Sequence, residues 1–126
     1  MEPHRHLLLL VEDHDDLREA VAELLRWEGY TVAEATDGDD ALAQLQGGLS
    51  PCLVLLDLNM PRSSGWTFRA AQRHDPRLAA IPVVALSGHH GVAQQAEALG
   101  VEDYLSKPLD FDKLLRIVRR TCRLAA

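Results

Sequence analysis

The sequence predicts an α/β fold: a doubly wound, five-stranded parallel sheet with helices on both faces. Three observations predict it. Short apolar runs alternate with helical patterns from one end of the 126 residues to the other. Three of those runs are apolar without interruption, as strands covered on both faces must be. Regular β-α alternation favours parallel strands joined by right-handed crossovers.

The strands read as "LLLLV" (7–11), "TVAEA" (31–35), "LVLLD" (53–57), "PVVAL" (82–86) and "DYLS" (103–106). The second alternates and the fifth is short and polar, so these two are the expected edge strands. The first helix is predicted in "DLREAVAELLRWEG", where Leu17, Val21, Leu24 and Leu25 share a face. Asp16 with Glu19 resembles a capping box, and Gly29 is a stop. "GDDALAQLQGG" is a shorter helix ending at Gly47, and "SGWTFRAAQRH" a third, closed by Asp75-Pro76. "GVAQQAEALG" stops at Gly100, with Val92, Ala96 and Leu99 on one side. "DFDKLLRIVRRTC" aligns Phe111, Leu114, Leu115, Val118 and Cys122, with Asp110 as its cap. No linker or low-complexity tract interrupts the pattern, so residues 1–126 are expected to form a single domain with a core of about 7–122.

Hydrophobic residues make up 47% and charged residues 25%, ordinary for a globular protein and unlike a disordered one. A formal net charge of −6 disfavours binding to nucleic acid or anionic membrane by general electrostatics. "LLLLV" is too short for a membrane span or a signal-peptide core, which points to a cytoplasmic protein. Cys52 and Cys122 lack metal-type spacing and read most simply as free thiols, buried or half-buried.

In a doubly wound sheet, function collects beyond the carboxyl ends of the strands. Glu12 and Asp13 follow the first strand, Asp57 ends the third, Ser87 follows the fourth and Lys107 the fifth. Parallel strands bring all five to one edge. Three carboxylates there cannot all stay charged on a single lysine, and hard oxygen donors with room for water suit Mg²⁺. A cation, an ammonium and a hydroxyl around a carboxylate can stabilise a phosphoryl group arriving on it. Asp57, topping a central strand, is the nucleophile candidate.

"VEDHDDLRE", "LLDLNMPRSSG", "VVALSG" and "DYLSKP", in that order on five β-α units, resemble the receiver domain of two-component response regulators over about Leu7 to Cys122. The resemblance implies a flavodoxin-like strand order 2-1-3-4-5. It makes Asp57 the phosphoacceptor for a sensor histidine kinase or phosphotransfer protein. Glu12 and Asp13 match its Mg²⁺-binding acidic pair, with Mn²⁺ as a substitute, and Asn59 the residue lending a backbone carbonyl to the metal. Ser87 and Lys107 match the groups that reach the phosphoryl oxygens, Tyr104 the aromatic that turns inward when Ser87 moves, and Pro108 a proline after a cis peptide. Asn59 and His89 occupy positions that tune autodephosphorylation in the family.

Such a domain is a switch rather than an enzyme with a separate substrate, although it assists its own phosphorylation and dephosphorylation. Its partners are the kinase and a downstream protein met on the helix 4–strand 5–helix 5 face, with a homodimer as a further option. Direct nucleic-acid contact and membrane insertion are not expected. A receiver excised from a longer regulator or hybrid kinase would read the same way.

Rivals come from other classes. An aspartyl-nucleophile phosphatase of the haloacid-dehalogenase type expects a second aspartate two residues after the first, where Asn59 stands. An FMN carrier on the same fold would set a phosphate against "EDHDD", which repels it. A non-phosphorylated scaffold would not need the full acidic set. Asp15, Asp16, Asp37, Asp39 and Asp40 read as caps or solvated loop residues. His4 with His6, and His89 with His90, read as surface histidines. Arg116, Arg119, Arg120 and Arg123 form a basic stripe that is either a solvated face or a partner surface.

Overall fold

The computed structural model describes residues 6–58, 65–88 and 92–122. Its strands are β1 (Leu7–Val11), β2 (Thr31–Ala35), β3 (Leu53–Asp57), β4 (Val83–Ser87) and β5 (Asp103–Ser106). Alternating with them are α1 (Asp15–Trp27), α2 (Gly38–Gln46), α3 (Gly65–His74), α4 (Val92–Leu99) and α5 (Phe111–Thr121). The strands form one parallel sheet in the order β2-β1-β3-β4-β5, with the alternating and the polar strand at its edges, as the sequence predicts.

The side-chain period of two divides the core between the faces of the sheet. Leu8, Leu10, Leu53, Leu55, Val84 and Leu86 face α1 and α5, meeting Val21, Ala22, Leu25, Leu114 and Val118. Their neighbours Leu9, Val11, Val54, Leu56, Val83 and Ala85 pack on the other face with Ala41, Leu45, Phe68, Ala96 and Leu99 from α2, α3 and α4. The central strands are buried along their whole length.

Local signals account for most boundaries. Asp37 caps α2 by accepting from the Asp40 N–H at 2.8 Å, and the Asp40 carboxylate accepts from the Thr36 N–H at 3.0 Å, a reciprocal box. Asp110 caps α5 through the Lys113 N–H. Gly29 takes a φ of +98° where α1 turns back, with the Tyr30 N–H bonded to the Leu25 carbonyl at 3.2 Å.

Three expectations need correction. The first helix starts at Asp15, with His14 as N-cap residue and no side-chain capping bond, so Asp16 lies in the first turn rather than at the cap. The Asp15 carboxylate is drawn instead to Arg18, at 2.8 Å. Strand β4 runs one residue later than the apolar pattern, because Ser87 still belongs to the ladder opposite Ser106. Cys52 and Cys122 are not free thiols: they are joined across 70 residues, since the approach to β3 and the end of α5 meet beneath the sheet.

Leu55 is fully buried at the centre of β3. Replacing it with alanine is expected to cost about 2–5 kcal/mol in urea unfolding, with the denaturant slope unchanged.

Candidate functional site

The strand register sets the site. Val11 pairs with Leu56 and Asp57 with Leu86, so the carboxyl ends of β1, β3 and β4 stand nearly level. Parity then selects the face. Glu12 continues the series Leu8–Leu10, Asp57 the series Leu53–Leu55, and Lys107 follows Leu105, all of the α1/α5 side. One face of one edge therefore receives two carboxylates and an ammonium.

The contacts follow that placement. Lys107 Nζ donates to Glu12 Oε1 at 2.9 Å and lies 3.5 Å from Asp57 Oδ1. Glu12 and Asp57 are almost wholly buried, 2% and 1% exposed, while Asp13 is exposed at the rim. Carboxylate oxygens of Glu12, Asp13 and Asp57 lie within 4.8 Å of one another. Ser87 is buried at the tip of β4, and its carbonyl accepts from the Lys107 N–H at 2.8 Å, which ties the β4 and β5 ends together. The Lys107–Pro108 peptide is cis. Tyr104 sits on edge strand β5 with 41% of its surface exposed. Asn59, and with it His89, lies outside the described residues.

Electrostatics shows a site short of positive charge. Burial, and then the Asp57 charge, push the Glu12 carboxyl above its ordinary range, although the Lys107 hydrogen bond and the His14 N–H pull it back. Burial draws the Lys107 ammonium down, but its hydrogen bond to Glu12 and the charge of Asp57 outweigh this and hold it above its ordinary value. Three carboxylates against one ammonium leave a formal charge of −2. That deficit and the all-oxygen donor set fit a hard divalent cation.

The structure adds a residue that the sequence motifs do not single out. Arg18 is buried and donates from Nη1 to the Glu12 carbonyl at 2.9 Å, from Nη2 to Asp15 at 2.8 Å and from Nε to Glu34 at 3.2 Å. Glu34 also accepts from Arg26 at 3.1 Å. Arg18 thus fastens the acidic loop after β1 to α1 and β2. The i,i+3 spacing of Asp15 and Arg18 is visible in the sequence, but Glu34 becomes a partner only through the β1–β2 register.

A five-stranded parallel sheet wound on both faces, with an acidic cluster and a lysine at its carboxyl edge, defines an α/β domain of signalling type. Residues 8–119 match the response regulator receiver domain, and the chain belongs to that family. It is 34% identical over 118 residues to the DNA-binding dual master transcriptional regulator RpaA of Synechocystis, covering 92% of this chain and 48% of that protein. The chain spans about half the length of this and other transcriptional regulators it matches. Among solved structures it resembles the chemotaxis response regulator CheY4 of Vibrio cholerae, with a TM-score of 0.84 at 29% identity over 94% of this chain and 99% of that one. It also resembles the response regulator TrrA of Thermotoga maritima, solved in complex with Mg²⁺ and BeF, with a TM-score of 0.80 at 27% identity over 91% and 97%.

Arg18→Met removes the donor to the Glu12 carbonyl. It is expected to lower unfolding stability by about 2 kcal/mol, with Arg18→Lys recovering only part because one ammonium cannot span three acceptors. Urea titration of the three proteins checks both.

Proposed function

We propose that this chain is the phosphoacceptor switch of a two-component system, with Asp57 taking a phosphoryl group from a phosphohistidine of a sensor histidine kinase or phosphotransfer protein. The observation that carries this reading is the Lys107 ammonium held between two buried carboxylates, 2.9 Å from Glu12 and 3.5 Å from Asp57. An oxygen of Asp57 attacks phosphorus in line. The P–N bond breaks with its electron pair going to the imidazole, and an acyl phosphate forms on Asp57. Lys107, already oriented toward Asp57, is positioned to follow the added charge. Ser87, at the tip of the adjoining strand, supplies a hydroxyl to a phosphoryl oxygen.

Glu12, Asp13, Asp57 and the backbone carbonyl of Asn59 would hold Mg²⁺, or Mn²⁺ in its place. When bound, the ion supplies positive charge against the phosphoryl oxygens. The −2 deficit of the cluster and the Mg²⁺–BeF complex of TrrA support that assignment.

Phosphorylation adds a charge of roughly −1.5 to −2 and strong acceptor oxygens at Asp57. Ser87 and Lys107 are drawn toward them, the exposed ring of Tyr104 turns inward, and the face formed by α4, β5 and α5 changes shape. That face carries Arg116, together with Arg120 paired to Asp103, and it receives a downstream protein or a second copy of the chain. The chain acts in the cytoplasm as a regulator that assists its own phosphorylation and dephosphorylation.

Incubation with Mg²⁺ and acetyl phosphate, followed by intact mass, is expected to add one phosphoryl group to the wild type. Asp57→Asn should take none, and chelation with EDTA should abolish the adduct. A wild type that stays unmodified, or an Asp57→Asn variant modified to the same extent, would overturn the assignment.

A further inference from the structure

The chain has only two cysteines, and the fold brings them together at the end of the sheet remote from the acidic cluster. Cys52 stands one residue before β3 and Cys122 directly after α5. Their Cα atoms are 5.4 Å apart, close to the commonest spacing of a disulfide. Main-chain hydrogen bonds fix both backbones. The Cys52 N–H donates to the Leu7 carbonyl at 2.8 Å, and the Cys122 N–H to the Val118 carbonyl at 2.8 Å. His6 Nδ1 lies 2.8 Å from the Cys122 carbonyl oxygen, and the His6 ring meets Tyr30 edge-on. Cys122 is buried, whereas Cys52 is half-buried and is the sulfur a reagent reaches first.

We infer that Cys52 and Cys122 form a reversible redox modification site, which closes by exchange with a low-molecular-weight disulfide and then fastens the last turn of α5 to the approach of β3. The Cys52 thiolate attacks one sulfur of the small disulfide, forming a mixed disulfide and releasing one small thiolate. The Cys122 thiolate then attacks the Cys52 sulfur, forming the internal bond and releasing the second. Two protein thiols are oxidised, one small disulfide is reduced, and the two protein protons pass to the released thiolates. A reducing dithiol reverses both steps. The chemistry uses no residue of the acidic cluster and does not depend on phosphorylation of Asp57.

The same corner brings a nitrogen of His6 and the two sulfurs within 4.8 Å of one another, so the reduced trio is also a candidate for a thiophilic cation. Three donors are one short of a structural zinc site. The spacing of the cysteine Cα atoms favours the disulfide.

The test equilibrates the whole chain across a series of reduced-to-oxidised glutathione ratios, blocks remaining thiols with iodoacetamide and reads intact mass. The expected result is a monomer that passes from two alkyl groups to none, with the loss of two hydrogens. Its melting temperature should rise by roughly 10 °C on oxidation. Backbone amides of Val118 to Cys122 should exchange more slowly in the oxidised form. Cys52→Ser and Cys122→Ser should each lose the redox dependence of melting, and the mixed disulfide should accumulate on Cys122→Ser. Three results would overturn the inference: two alkyl groups at every ratio, oxidation only to disulfide-linked dimers, or stoichiometric Zn²⁺ uptake by the reduced chain that blocks closure.

Discussion

The site rests on one electrostatic constraint, that Glu12 and Asp57 are buried within 4.8 Å of each other and need a counter-charge. At the outer limit of that separation and an effective dielectric of about 20, two carboxylates already repel by roughly 3 kcal/mol. Lys107 lies 2.9 Å from Glu12 and 3.5 Å from Asp57, so one ammonium attracts both carboxylates and offsets their repulsion. The ammonium can reach both only if the ends of β1, β3 and β5 share one edge and one face. The parallel register and the two-residue parity of the strands supply this. A slip of one residue in β5 would turn Lys107 to the opposite face and leave both carboxylates without it.

This explains why the apolar content of the strands matters to the chemistry at their ends. Leu53 to Leu56 are fully buried, and the backbone of β3 is bonded on both sides, to β1 and to β4. A carboxylate at the end of such a strand has little freedom to swing away from its neighbours. On the β1 side, Arg18 does comparable work: it holds the Glu12 carbonyl from α1 while tied to Glu34 on β2. The acidic loop is therefore held by its main chain, which leaves the carboxylates facing the site.

Local signals made much of this legible in the sequence. Continuous apolarity marked the covered strands, alternation and polarity marked the edges, and Asp37 and Asp110 marked helix starts. Gathering Glu12, Asp13, Asp57, Ser87 and Lys107 at one edge needed only the assumption of parallel strands. What escaped was mostly decided by distant partners. Asp16 looked like a cap, but the helix already begins at Asp15 behind His14, and Ser87 looked like a loop residue because its ladder partner, Ser106, is 19 positions away. The cysteine pair has no local signature at all. Its closure depends on where β3 starts and where α5 ends, which only the assembled sheet determines.

Helix α5 links the two ends of the molecule. It begins just after Lys107, Pro108 and Leu109, is capped by Asp110, and ends at Thr121, directly before Cys122. Eleven residues at about 1.5 Å each span roughly 16 Å, most of the depth of the sheet. Leu114, Leu115 and Val118 anchor its inner face in the core, and the cysteine link and the His6 contact hold its end. The helix is thus held at its far end and along its buried side, and its start adjoins the acidic edge. The amino edge of the sheet therefore fixes one end of the helix whose other end follows shortly after the lysine of the carboxyl edge.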